Sequence, residues 1–184
     1  MMETVKKILQ DDNHGLFSKD GMFSKEFPSD FRRIRYFTLM IVQKAPPEIK
    51  EINLLEQQIS EIIKNAVKHG NRSDPEKTIR VWYTFSTEEA RLIVEDEGEG
   101  FQNIDEWNAF NTDRQECLSK EDYIKLADYV SFRTEKSDDN DGGNAMFAAV
   151  EYWNEGVVFS SEGNTVAVGK KFPRKRPSIE LSGD

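Results

Sequence analysis

Cysteine is almost absent from this chain: Cys117 stands alone among 184 residues. A single thiol cannot close an internal disulfide. Its surroundings are polar, with no histidine close in sequence, so it reads as an inert thiol. Histidine is as scarce, with only His14 and His69. His14 lies in Asp11-Asp12-Asn13-His14-Gly15 and reads as a turn residue, because a metal site needs further ligands of the right type. No apolar run approaches the ~20 residues of a membrane span, and Met1 to Asp12 is too polar for a secretion signal. The expectation is a soluble, cytoplasmic protein without membrane contact. Positive charge is in deficit: 25 Lys and Arg face 34 Asp and Glu, a net charge of -9. Phosphate backbones are bound by clustered Lys and Arg, so no direct nucleic-acid partner is expected. Internal repeats and low-complexity tracts are missing too.

What remains is enough for one compact domain. The chain is 37% hydrophobic, with twelve Phe and three Trp to build a core. Residues 1–21 read as an extension, in which Val5, Ile8 and Leu9 predict an amphipathic turn. Met22 to Phe27 predicts a first strand. Apolar residues at 31, 34, 37 and 41 predict a helix over 30–44, stopped by Ala45-Pro46-Pro47. Ile49, Ile52, Leu55, Ile59, Ile62, Ile63 and Ala66 keep a 3.6-residue period and predict a second helix over 48–69. Alternation in Thr78 to Phe85 and the apolar run Ala90 to Val94 predict a hairpin. Residues 102–141 are too many for a structureless loop and read as a partly helical lid or insertion. Ile104, Trp107 and Phe110 suggest a short helix there, and Ser119 with Asp122 resembles a capping box for a second. A helix over 144–153, a last hairpin of Val157 to Ser160 with Thr165 to Lys170, and a basic flexible tail over 173–184 complete the chain.

Two stretches carry chemistry. Glu61 and Asn65 are four apart on the second helix, so they stack on one face beside the buried stripe of Ile62 and Ala66. Taken alone, the pair reads equally as a solvated glutamate and a surface asparagine. Gly70 suits a left-handed helix cap. Asp96-Glu97-Gly98-Glu99-Gly100-Phe101 follows directly on a strand. Its two glycines free the backbone for close approach of a ligand, and the Asp96 carboxylate can accept a hydrogen bond from an exocyclic amine such as that of adenine. Alone, this is also an ordinary acidic turn. Gly142 and Gly143 precede a helix whose free N–H groups suit a phosphate, although a plain loop-to-helix junction has the same sequence.

Together the pattern is more specific. Glu-x-x-x-Asn-Ala-x-x-His-Gly, a hairpin, Asp-x-Gly-x-Gly-Phe, a variable lid, a Gly-Gly helix start and a terminal hairpin with Gly-Asn-Thr resemble the GHKL ATPase superfamily. Ser60 to Gly70 is most similar to the corresponding box of the anti-sigma-factor serine kinases. The resemblance covers roughly residues 23 to 172, within a domain over 22–172. It implies an α/β two-layer sandwich of the Bergerat type: a mixed, largely antiparallel sheet with helices on one face, the other face being available for a homodimer. It also implies ATP and Mg²⁺ as cofactors. Asn65 would hold the metal, and Glu61 would act as general base, or orient the substrate serine, in transfer of the γ-phosphoryl group. Asp96 would bind the adenine amine, supported by Thr165. Gly98 and Gly100 would pass close to base and ribose, and Gly142 and Gly143 would cradle the phosphates. The implied partners are an anti-anti-sigma (STAS-type) protein that is phosphorylated and a sigma factor or similar regulator that is sequestered. Two departures stand out: Ala145 where the family commonly has glycine, and a longer lid. They keep open a second reading, a non-catalytic interaction module with weakened or lost ATP turnover.

Overall fold

The computed structural model describes residues 4–132 and 144–174. Its centre is a six-stranded sheet in the order β1-β5-β6-β4-β3-β2. The strands are β1 (Leu9–Gln10), β2 (Phe23–Pro28), β3 (Thr78–Phe85), β4 (Glu89–Glu95), β5 (Gly156–Phe159) and β6 (Thr165–Lys171). All neighbours are antiparallel except β1, which runs parallel to β5. Alternation places Ile79, Val81 and Tyr83 of β3 and Leu92 and Val94 of β4 on one face, which carries the main core. Helices α1 (Ile34–Val42), α2 (Ile52–Asn65) and α5 (Ala145–Tyr152) supply the other half of that core. The fold is therefore an α/β sandwich, with a mixed, mostly antiparallel sheet and its long helices on one face.

Helix boundaries follow local chemistry. Asp30 caps a single 3₁₀ turn, Phe31–Arg33, through Arg32 N–H, and α1 begins only after it. Pro46 and Pro47 delay the second helix: Ile49 closes a turn onto Pro46 O, and α2 starts at Ile52 rather than at residue 48. Within residues 102–132 the first helix is long, not short. α3 (Ile104–Ser119) buries Trp107, Asn111 and Cys117 along one side. Ser119 closes that helix, donating from its hydroxyl to Glu116 O. The next helix, α4 (Tyr123–Leu126), is capped by Asp122, whose carboxylate accepts from Lys125 N–H. The expected capping box is thus a helix end followed by a separate cap.

Residues 5–22 are built into the fold. The expected amphipathic turn is instead an irregular segment leading into β1, with Leu9 opposite Val158. Asn108 of α3 grips it through both amide groups: Oδ1 accepts from Ile8 N–H at 2.9 Å and Nδ2 donates to Ile8 O at 2.8 Å. The chain then crosses the second face of the sheet. There Leu16, with Phe17 and Met22, covers Ile93, Val158 and Ala167. Arg91 donates to the carbonyls of Gly15, Leu16 and Ser18, and Lys19 lies 3.5 Å over the Trp82 ring. The second face, expected to be available for a homodimer, has an apolar centre, and the chain's own N-terminal strap lies on it.

Candidate functional site

Glu61 and Asn65 occupy the last two turns of α2, which then widens. Residues Ala66–Gly70 form a π turn, in which Asn71 N–H reaches back five residues to Ala66 O at 2.8 Å. Single π turns are uncommon and concentrate at functional sites. The widened turn delivers Gly70 against the acidic turn that follows β4. A Cβ on Gly70 would lie 2.3 Å from Asp96 Cγ, and one on Gly98 would lie 2.0 Å from Gly70 O. Gly70 is therefore glycine because Asp96 presses on it. The left-handed positions predicted for Gly70 fall instead on Arg72 and Ser73, both at φ 55°.

A second glycine contact fixes the other side of the turn. Gly100, at φ 85°, faces Glu162 O and Gly163, and Phe101 N–H donates to Gly163 O at 3.0 Å. The close approach that Gly98 and Gly100 permit is thus in the first instance to their own chain. At the start of β6, Thr165 pairs with Glu95, and Asp96 N–H donates to Asn164 O at 2.9 Å. Asp96 and Thr165 therefore lie at the same end of the sheet but on opposite faces: Thr165 alternates with Ala167 on the second face, and Asp96 with Leu92 and Val94 on the helix face.

Asp96 is half-buried, and its Oδ1 accepts from Gly98 N–H at 2.8 Å. Burial pushes its carboxyl up to about 6, against the Gly98 hydrogen bond that lowers it; Glu95 adds to the rise and Lys77 opposes it. A desolvated acceptor gains most when a donor arrives.

Glu61 lies farther along α2. Its side chain is 31% exposed, with Oε2 3.8 Å from Lys64 Nζ. It lines an open, polar depression of about 430 Å³ with Arg35 and Thr38 of α1 and Ser60 of α2. The structure brings together Gly70, Asp96, Gly98 and Gly100 beside the end of the helix that carries Asn65, and leaves Thr165 on the other face of the sheet. Glu61 is one turn back, facing the α1–α2 depression. Gly142 and Gly143 lie outside the described residues. Among the described residues, no group of three or more His, Cys, Asp or Glu could hold a metal ion.

One polar residue escaped the sequence reading. Asn71 is fully buried. Its Nδ2 donates to Ser29 Oγ at 2.6 Å and Thr78 O at 2.8 Å, and its Oδ1 accepts from Glu97 N–H at 2.7 Å. It ties the segment before α1, the start of β3 and the acidic turn into one block. Its place directly after Gly70 was visible; its burial was not.

Comparison with known proteins matches residues 27–170 to the family described as histidine kinase-like ATPase domain. Curated relatives include an anti-sigma F factor of Shouchella clausii, 29% identical over 65 residues, which is 35% of this chain and 44% of that protein. An anti-sigma F factor of Geobacillus thermodenitrificans is 34% identical over 65 residues, again 35% of this chain and 44% of that one. A third, from Clostridium perfringens, is 29% identical over the same length and 46% of its own chain. The chain spans less than half the length of the curated relatives it matches.

Proposed function

The chain belongs to the histidine kinase-like ATPase domain family, and from that premise we propose that it is an ATP-binding regulator of the anti-sigma type that phosphorylates a serine of a partner protein. The observation that carries this reading is the half-buried Asp96 carboxylate pressed against Gly70, at the end of the helix that bears Glu61 and Asn65. A carboxylate short of solvent suits the exocyclic amine of adenine. Gly98 and Gly100 then border the base and ribose, and Gly142 and Gly143 supply N–H groups to the phosphates.

Asn65 offers an amide oxygen, the ligand type Mg²⁺ takes while the phosphates and water fill its other positions. The ion, when bound, neutralises phosphate charge. Glu61 takes the proton of the partner's serine hydroxyl. The serine oxygen bonds to the γ-phosphorus as the bond to the leaving ADP oxygen breaks. The open depression beside Glu61 leaves room for a protein substrate to reach it. The phosphorylated partner is an anti-anti-sigma, STAS-type protein, and the sequestered one is a sigma factor or similar regulator. Among the described residues, no helix is long and apolar enough to cross a membrane, and partners of this kind place the protein in the cytoplasm.

The test separates binding from transfer. Calorimetric titration with ATP, with and without Mg²⁺, should show metal-dependent binding. Glu61→Ala should keep that binding and lower transfer of labelled phosphate to a purified STAS-type partner by roughly 10² to 10⁴-fold. Asn65→Ala should weaken the Mg²⁺-dependent part of binding. Equal loss of binding in both variants would overturn this division of roles. The second reading, a non-catalytic interaction module, is favoured by Ala145 at the first position of α5; absence of Mg-ATP binding would establish it.

A further inference from the structure

We propose that Asn71 is a positioning residue for base selection: it holds the Asp96 turn where a 6-amino purine is distinguished from a 6-oxo purine. The inference rests on the nucleotide reading above.

Asn71 is 0% exposed, and every hydrogen-bonding atom of its amide has a partner in a different segment of the chain. Both N–H groups are used, on Ser29 Oγ and Thr78 O, so its oxygen is oriented without ambiguity toward Glu97 N–H. Glu97 follows Asp96 directly. Its own side chain is anchored by Thr78, whose backbone N–H donates to Glu97 Oε2 at 2.6 Å. On the other side, Asp96 N–H is held by Asn164 O. The carboxylate is thus suspended between two held backbone N–H groups, that of Asp96 on Asn164 O and that of Glu97 on the Asn71 side-chain amide.

Asn71 is also coupled to the helix. Its backbone N–H closes the π turn onto Ala66 O, and it is bonded in sequence to Gly70, the residue on which Asp96 rests. Movement of this amide changes the separation between Asp96 and the end of α2. The consequence is chemical as well as architectural. A carboxylate fixed at one place accepts from an amine and meets a 6-oxo group as a repulsive acceptor; a carboxylate free to swing does neither well.

The experiment measures ATP and ITP affinity on the full chain, for native protein, Asn71→Ala and Asn71→Ser, with thermal melts alongside. Native protein should prefer ATP by roughly a hundredfold, and Asn71→Ala should lower that preference about tenfold with ITP affinity nearly unchanged. A residue that only held the fold together would lower both affinities equally, so the ratio is the readout. Folded Asn71 variants that keep the native ratio, or lose ATP and ITP alike, overturn the inference and leave the nucleotide reading standing. Native protein that binds neither nucleotide, or both equally, overturns the nucleotide reading and this inference with it. If Asn71→Ala and Asn71→Ser fail to fold, Ser29→Ala removes a single partner of the amide. That variant should lower the ratio about threefold, and an unchanged ratio there also overturns the proposal.

Discussion

Asp96 is held at a cost. Its carboxyl titrates near 6 in the folded chain against an ordinary value of 3.8. Between those values the folded state keeps a proton that the unfolded state has released. Stability therefore falls as pH rises through this window, and the penalty persists in full above it. Asp96→Asn removes the charge and keeps an oxygen for Gly98 N–H. We expect Asp96→Asn to melt higher than native protein at pH 8, with the difference shrinking toward pH 4, and to lose the preference for an amino purine. Melts at pH 4, 6 and 8 check the sign. The neighbouring glycines give a second contrast. A methyl on Gly98 meets the Gly70 backbone, which cannot yield, so Gly98→Ala should cost about 3 kcal/mol or more in urea unfolding. A methyl on Gly70 meets the Asp96 side chain, which can swing away. Gly70→Ala should cost less, about 1–2 kcal/mol, yet impair nucleotide binding out of proportion to that loss.

At the scale of elements, the end of α2 is where local preference and tertiary demand disagree. Arg72 and Ser73 both sit at positive φ, where each L-residue costs roughly 1–2 kcal/mol. The conformation survives because Ser73 N–H bonds to Val67 O and Asp74 N–H to Asn71 O. Ser73→Gly should therefore stabilise the chain by about 0.5–1 kcal/mol once the added freedom of the unfolded state is subtracted, measurable as a higher urea midpoint at an unchanged slope. The same region shows what the sequence could convey. The 3.6-residue run from Ile52 to Ala66 and the alternation in Thr78 to Phe85 carry their own period, so α2, β3 and β4 were legible, as was the place of the acidic glycine turn directly after β4. The π turn was not, because it arises from the fit of Gly70 against Asp96, residues far apart in sequence. α3 was read short because two of its buried positions, Asn111 and Cys117, do not register in an apolar pattern. β1 has two residues, too few to show any alternation.

Over the whole molecule, the N-terminal strap packs on the last hairpin of the sheet. Leu16 fits a socket made by two glycines of the last hairpin: a Cβ on Gly169 would lie 2.7 Å from Leu16 Cδ2, and one on Gly156 would lie 3.6 Å from its Cδ1. Leu16→Ala should cost about 2–5 kcal/mol in urea unfolding. It should leave ATP affinity unchanged, because the strap and α2 lie on opposite faces of the sheet. The strap also lies where a second copy would pack if the chain dimerised through that face, and displacing it would break the three Arg91 hydrogen bonds.

The pairing of Leu9 with Val158 has a further meaning during biosynthesis. Leu9 and Leu16 are made before β5 and β6, the strands onto which they dock. Until β5 and β6 emerge, Leu9 has no partner strand, and Leu16 finds only Ile93 of the buried residues it covers. Addition of β1 to the sheet is then a late, long-range event, which slows folding relative to a helical domain of the same size and makes the arrival of β5 and β6 the moment at which the second face closes.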